Sequence, residues 1–423
     1  MRIAVVGSGI AGNVIAASLH REHDVVVFEA RDRPGGHSNT HLVEYQGRQY
    51  AVDSGFIVYN EKNYPQFTRL LARIGIATQP SCMSFSVRNE RIGLEYCGTN
   101  LNSLFAQRRN LLNATFLRML REILRFNARA PSLLDADAPE VALGEYLARE
   151  GYSAYFIEHY VIPMGAAIWS TRPGLMLEFP ARFFVRFLHN HGMLSAGKQL
   201  AWRSIVGGSQ SYVRKLTAPF RQAIRTNCAV ERIRRLPDRV LLKCRETDFE
   251  IFDRVFLACH SDQALAMLEE PSRAERDVLG AIRFQRNEAV LHLDSSLLPT
   301  RRRAWAAWNY HVMPDVAGPV TLTYNMNILQ SLPAPTPILV TLNRSDAIDP
   351  SRILARETYD HPLFSPDATL AQGRHRELNG HKGTYYCGAW WRNGFHEDGV
   401  ESALQAVRHF EEDDAKRALH RAG

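Results

Sequence analysis

The sequence predicts an α/β protein whose Rossmann-like domain is assembled from separated chain segments and carries an interleaved α+β region. Three observations predict it: a strand–glycine turn–helix–strand–acid run at the N-terminus, strand-like apolar segments that return in the middle, and a glycine- and aromatic-rich segment near the end. At 423 residues, 45% hydrophobic and 22% charged, the chain has ordinary globular composition and length for more than one core. That composition excludes a disordered chain, a collagen and a disulfide miniprotein.

Residues 2–6 (Arg-Ile-Ala-Val-Val) read as a short buried strand. Gly7-Ser8-Gly9-Ile10-Ala11-Gly12 follows, then a helical run over Asn13–His20, a second apolar strand Val25–Phe28, and Glu29. Gly7 permits a tight turn, Gly9 lets backbone approach a pyrophosphate, and Gly12 lets helix and strand pack closely. The helix N-terminus faces the phosphates, and Glu29 is spaced to accept ribose hydroxyl hydrogen bonds. This context predicts a Rossmann-like dinucleotide site.

The next residues choose the dinucleotide. Glu29-Ala30-Arg31-Asp32-Arg33-Pro34-Gly35-Gly36 runs on from the acid, and Val52-Asp53-Ser54-Gly55-Phe56 follows. Here the chain resembles the FAD-dependent amine-oxidase and phytoene-desaturase superfamily, in which an acid, an Arg four residues later and a Gly-Gly pair run beside the dinucleotide. The family has Arg after that pair; this chain has His37. Val206–Ser211 resembles the Gly-Gly turn that returns the chain to the FAD domain. Ala229–Ile233 and Arg254–Ala258 resemble the strands beside the adenine, with Val230 as the backbone contact. Tyr385–Trp390 and Gly394–Val400 resemble the C-terminal flavin motif, with Gly388, Glu397, Asp398, Gly399 and Val400 near the cofactor and a helix starting near Glu397. The resemblance implies residues 1–60, 200–270 and 380–423 as the FAD-binding domain, and 61–199 and 271–379 as the substrate domain. Thr384 stands where some relatives carry a flavin-linked Cys, so the FAD is expected to be non-covalent.

Within that superfamily the chain is similar to a bacterial group of NAD/FAD-binding oxidoreductases, on Phe179-Pro180-Ala181, Asn190-His191-Gly192 and Gly394–Gly399. Members of that group often stand alongside cyclopropane-fatty-acyl synthases, a hint of lipid chemistry that the resemblance carries. Many amine oxidases hold a water near the flavin with a Lys on a substrate-domain strand. The comparable strand here, Asn287–Asp294, has no Lys, and Glu288 or Asn287 is its nearest equivalent. His292 and Asp294 share a strand face and form a second candidate pair. Tyr385 and Phe395 match the two aromatics that frame the substrate, so the expected catalytic set is Glu288, His292, Tyr385 and Phe395. Trp390 replaces the acid usual after the Gly-Ala step.

The remaining residues carry weaker signals. The segments 160–170 and 179–194, with Trp169, Phe179, Phe183, Phe184 and Phe187, read equally as an apolar tunnel or as core. Over about 115–130, Arg118, Arg121, Arg125 and Arg129 form one helical stripe, opposite Phe116, Met119, Leu120 and Ile123. That stripe reads either as peripheral contact with anionic lipid at the inner membrane face or as a solvated surface. A net charge of +7 with no basic tail does not indicate nucleic acid. Six cysteines without C-x-x-C spacing give neither a disulfide framework nor a zinc site, which points to a reducing cytoplasm. His189 and His191 do not share a helical face, so no metal pair is expected. Breaks are expected near Pro131–Pro139, Pro271-Ser272 and 332–337. The expected function is flavin-dependent hydride transfer from an apolar acyl or isoprenoid-like substrate; the alternatives are an amine oxidase and a non-redox flavoprotein. The substrate's identity, the electron acceptor and the oligomeric state stay open.

Overall fold

The computed structural model describes residues 1–135, 137, 140–194, 200–313 and 318–422, with the side chains of 420–422 left aside. Its first layer is a five-stranded parallel sheet in the order Ile224–Arg225, Asp24–Phe28, Arg2–Val6, Arg254–Leu257, Thr384–Tyr386. The strands come from three distant parts of the chain, so the predicted discontinuous α/β domain is observed. Near-continuous Val, Ile and Phe in these strands answer to burial on both faces. Helix Ile10–Leu19 and the long helix His396–Ala422 cover one face. Helices Ser261–Met267 and Arg273–Ala281 and the small sheet of Val230–Arg235, Val240–Cys244 and Glu250–Phe252 cover the other. The predicted helix Asn13–His20 starts at Ile10 instead, because Gly9 already has the extended backbone of a cap.

The second region is a seven-stranded mixed sheet, ordered Ile353–Pro362, Phe284–His292, Leu339–Leu342, Thr321–Asn325, Trp308–Val312, Phe85–Asn89, Leu94–Cys97. A helical layer over residues 101–190 packs on it through Phe116, Phe126, Phe156, Trp169 and Phe184. A three-stranded sheet of Val58–Asn60, Trp202–Ile205 and Thr78–Ser81 ties the regions together.

The expected division at 60/61 is not where the packing divides. Tyr64, Phe67, Leu70 and Leu71 sit in the same core as the dinucleotide-side helices, and helices Arg273–Ala281 and Pro366–Gln372 also pack on that side. The expected break near 271 is a capping box: Ser272 accepts from Glu275 N (3.2 Å) and its own N–H donates to Glu275. Of the Pro131–Pro139 break, residues 136, 138 and 139 lie outside the described residues, as do 195–199 at the end of one expected domain segment.

The basic stripe lies on helix Ala114–Arg129. Arg118 and Arg125 flank Glu122, Arg129 pairs with Glu150, and Arg125 also stands over the Tyr152 ring at 4.2 Å. Three of its four Arg therefore stand within ion-pair distance of a carboxylate of the same chain, two of them sharing Glu122. No described helix is long and apolar enough to cross a membrane. All six cysteines are free thiols, and no cluster fit to hold a metal occurs among the described residues.

Candidate active site

The glycine turn forms a cradle. Gly7 has φ +98°, and a Cβ there would press on the Ala258 carbonyl. A Cβ on Gly12 would overlap the Gly7 carbonyl and stand 3.2 Å from Ala258 Cβ, so only glycine lets this helix meet the strands. Gly9 is the opposite case: a Cβ there meets nothing within 4 Å. Its missing side chain opens space instead of allowing protein packing. Ser8 N and Oγ donate to Glu29 at 3.0 and 2.5 Å, and Arg31 N donates to its other oxygen at 2.9 Å, which holds the acid over the turn.

The following loop folds back onto this cradle. Gly35 N donates to Ser8 O (2.9 Å), and Gly36, at φ +58°, lies against Gly9. Gly55 packs on the His37 carbonyl, which accepts from Phe56 N at 2.8 Å. Arg33 reaches Ser38 O with one nitrogen (3.4 Å), while its buried Nη2 has no partner. An unpartnered guanidinium nitrogen beside an open glycine turn suits a phosphate, so the residues present fit a bound dinucleotide. Exposed Ala30 follows the acid, and the Arg31 side chain turns away to Glu357 (3.5 Å) and Thr358 O (3.0 Å), leaving the cradle to its backbone. Cys228 N donates to Glu29 O (2.8 Å), which brings the segment entering Val230 alongside the acid.

Two helix N-termini converge here. Gly399 is so close to Ile10 that a Cβ would meet its Cγ2 at 2.7 Å, and Ala11 and buried Val400 fill the same junction. Both helices thereby aim their free N–H groups at one region, which favours negative charge there. Gly388, at φ +156°, leaves room for the Trp390 ring, whose Nε1 donates to Cys259 O (3.0 Å). The predicted helix near Glu397 begins at His396. His396 stacks on Phe56 at 3.6 Å and bonds Ser38 Oγ and Tyr212 OH, each at 3.0 Å; burial drives its pKa down to about 3, so it is neutral.

Several expected roles change. Glu397 does not face the cradle: its carboxylate accepts from Gln66 N (2.8 Å) and Phe67 N (2.9 Å), capping helix Pro65–Arg73. Asp398 accepts from Phe395 N (2.9 Å) within its own helix start, and burial lifts its pKa to about 7. Tyr385 is fully buried between the parallel sheet and helix His396–Ala422, against Phe256 and Phe410, with its OH on Asp413, so it frames nothing. Phe395 stacks on Phe187 at 5.2 Å, and the ring beside it is Phe364, which packs on Gly394 and stacks on Phe183 at 5.0 Å. Thirty residues of intervening chain hide that pairing from the sequence.

On the strand Phe284–His292, alternation decides the rest. Glu288 is partly exposed, paired to Arg356 (2.8 Å) and accepting from Ser345 Oγ (2.6 Å). His292 shares Glu288's face, is buried against Thr341 Oγ1 (2.7 Å), and accepts from Asp294 N (3.1 Å). Neither belongs to the site. The opposite face carries Asn287, fully buried, whose Nδ2 meets His361 Nδ1 at 2.9 Å. His361 lies 5.4 Å from His37, which lies 4.8 Å from Tyr359. His37, Tyr160, Cys259, Tyr324 and His361 lie deep in the protein yet keep accessible surface, so they border internal space.

An open glycine turn, two converging helix N-termini and an unpartnered Arg33 nitrogen are the arrangement of a dinucleotide-binding enzyme. Residues 10–291, about two thirds of the chain, match the family of flavin containing amine oxidoreductases. The fold is similar to a CLA-producing fatty acid isomerase from P. acnes, at 17% identity over 97% of this chain and 98% of that one, TM-score 0.69. It is likewise similar to cyclohexylamine oxidase from Brevibacterium oxydans IH-35A, at 15% identity over 97% and 99%, TM-score 0.68. A putrescine oxidase bound to putrescine gives 14% identity over 97% and 99%, TM-score 0.68. The chain belongs to the flavin containing amine oxidoreductase family and is an FAD-dependent oxidoreductase.

Proposed function

We propose that this enzyme oxidises or rearranges an apolar, acyl-chain or isoprenoid-like substrate, with FAD held non-covalently. The observation that carries the reading is the aromatic wall Phe395–Phe187–Trp169–Phe183–Phe364, continuous at ring separations of 5.0–5.5 Å. Such a wall favours apolar substrate over a charged amine, because burying an ammonium there without a partner is costly. No carboxylate faces the wall from Phe284–His292, since Glu288 is committed to Arg356 on the other face. That a protein of similar fold is named as a fatty acid isomerase accords with this reading.

In this proposal Gly7, Gly9 and Gly12 admit the pyrophosphate to the helix start at Ile10 and Ala11, and Glu29 takes the ribose hydroxyls. Arg33 meets a phosphate, and the backbone of Gly35, Gly36 and His37 runs beside the dinucleotide. Gly55, Phe56, Val230, Gly388, Gly399 and Val400 close around it. When bound, FAD supplies a hydride acceptor. The chain orients the substrate against that acceptor and keeps water away, and both helix N-termini stabilise the negative charge that builds up.

The test is anaerobic bleaching of the protein's visible flavin absorption. A fatty acid, a cyclopropane fatty acid and an isoprenoid would be compared with primary and secondary amines, with mass spectrometry of material extracted from the purified protein. Lipid recovered with the protein, or bleaching by lipid, is expected. Bleaching by amines alone overturns the substrate class and leaves the amine-oxidase reading.

A further inference from the structure

A run of three polar side chains crosses the end of the mixed sheet and ends at the internal space. Asn343 follows strand Leu339–Leu342 with φ +54°, a left-handed backbone uncommon outside glycine. Its Oδ1 accepts from Glu288 N at 2.9 Å. A backbone N–H can only donate, so that contact fixes which way the amide points. Asn343 Nδ2 then donates to Val320 O (2.9 Å) and to Asn287 Oδ1 (2.8 Å). Gln285 Nε2 also donates to Asn287 Oδ1 (3.3 Å). The Asn287 Nδ2 must therefore be the atom facing His361 Nδ1, and it too can only donate. His361 Nδ1 is thus unprotonated, and the single proton of the neutral ring sits on Nε2.

The ring stays neutral. Burial pushes its pKa down to about 4, His260 pushes the same way, and Asp360 on its own strand opposes them; His37 faces it from the glycine loop. Since Nδ1 is taken, the accessible part of the ring is the edge carrying Nε2–H. That edge borders the space it shares with His37, Tyr160, Cys259 and Tyr324, where a fixed donor sets a ligand's orientation.

We propose that His361, its tautomer locked by Asn343 and Asn287, is a fixed Nε2–H donor for a carbonyl or carboxylate oxygen borne by an otherwise apolar substrate. The substrate part rests on the acyl-chain reading above; the tautomer does not. It goes beyond that reading by giving the substrate a polar terminus and naming the group that meets it. To a carboxylate such a hydrogen bond is charge-assisted and worth about tenfold or more in affinity.

The holoenzyme labelled with 15N-histidine tests the tautomer by long-range proton–nitrogen correlation. The signal lost in H361F should be the Nε2–H form with no titration from pH 5 to 8, and N287L should release it to a mixture of tautomers. Binding is read from the change in the flavin visible spectrum with oleate and with 1-octadecene. H361F should weaken oleate about tenfold and leave 1-octadecene unchanged, while H361Q, which keeps an amide donor, should restore part of the loss. Retained FAD absorption in both variants shows that they fold. An Nδ1–H ring, a ring titrating near 6.5, or equal oleate affinity in H361F overturns the proposal. If neither lipid perturbs the wild-type spectrum, the acyl reading falls and takes the oxygen-bearing ligand with it; a wrong tautomer instead overturns the donor and leaves the acyl reading intact.

Discussion

Gly9 and Gly12 are three residues apart in one motif, yet the structure gives alanine at each a different fate. At Gly9 the backbone is at φ −65°, which alanine adopts freely, and the Cβ would point into open space. In the FAD-free protein G9A should therefore change stability by no more than about 1 kcal/mol, the lost glycine cap set against a stiffer unfolded chain. At Gly12 the Cβ collides with backbone at Gly7, which cannot rotate away, so G12A should cost about 1–3 kcal/mol or more with no cofactor present. FAD adds a separate term. A ligand at a hundred times its Kd stabilises by about 2.7 kcal/mol, and G9A should lose most of that because its methyl group occupies the space meant for pyrophosphate. Urea melts of apoprotein, with and without added FAD, separate the two effects, and the visible spectrum reports retention directly. If G9A gains as much from FAD as wild type, Gly9 does not face the dinucleotide. If apo G12A melts with wild type, the helix–strand packing argument is wrong.

Other expectations follow from the same contacts. Burial raises the pKa of the Glu275 carboxyl, but hydrogen bonds from Arg235, Tyr386 OH (2.6 Å) and Ser272 N (2.7 Å) overcome it and bring it to about 2. A depressed folded pKa gives stability that is present above the unfolded value of about 4.5 and lost as pH falls toward 2, here about 3 kcal/mol. Denaturant midpoints should fall across that window in wild type and be flatter in E275Q; identical acid limbs would refute the assignment. E288Q removes a partly exposed ion pair and should alter stability by less than about 1 kcal/mol, with flavin content and turnover unchanged. A large loss of turnover in E288Q would return it to the active site. E397A strips two backbone N–H groups of helix Pro65–Arg73 of their acceptor and should cost about 1–3 kcal/mol in urea melts, with the flavin spectrum retained in the folded fraction.

The dinucleotide end was legible because its signals are local. Glycine spacing fixes a turn, apolar runs fix buried strands, and an acid at the end of the second strand is carried there by the strand itself. The sequence alone therefore determined the parallel α/β domain, its return in the middle and end of the chain, and the cofactor class. Which residues reach the substrate space was decided by contacts between segments far apart in sequence. Strand alternation put Asn287 on one face and Glu288 and His292 on the other, a choice invisible until the sheet has neighbours on both faces. Glu397 stood in a cofactor motif, but the helix brought against it offered two free N–H groups, and capping them claimed its carboxylate. Tyr385 left its expected place for the same reason: it lies on a strand whose side chain enters the core, while the ring against Gly394 is Phe364, brought there by tertiary packing. Local chemistry fixes what a segment can bind, whereas side-chain direction depends on the whole packed chain.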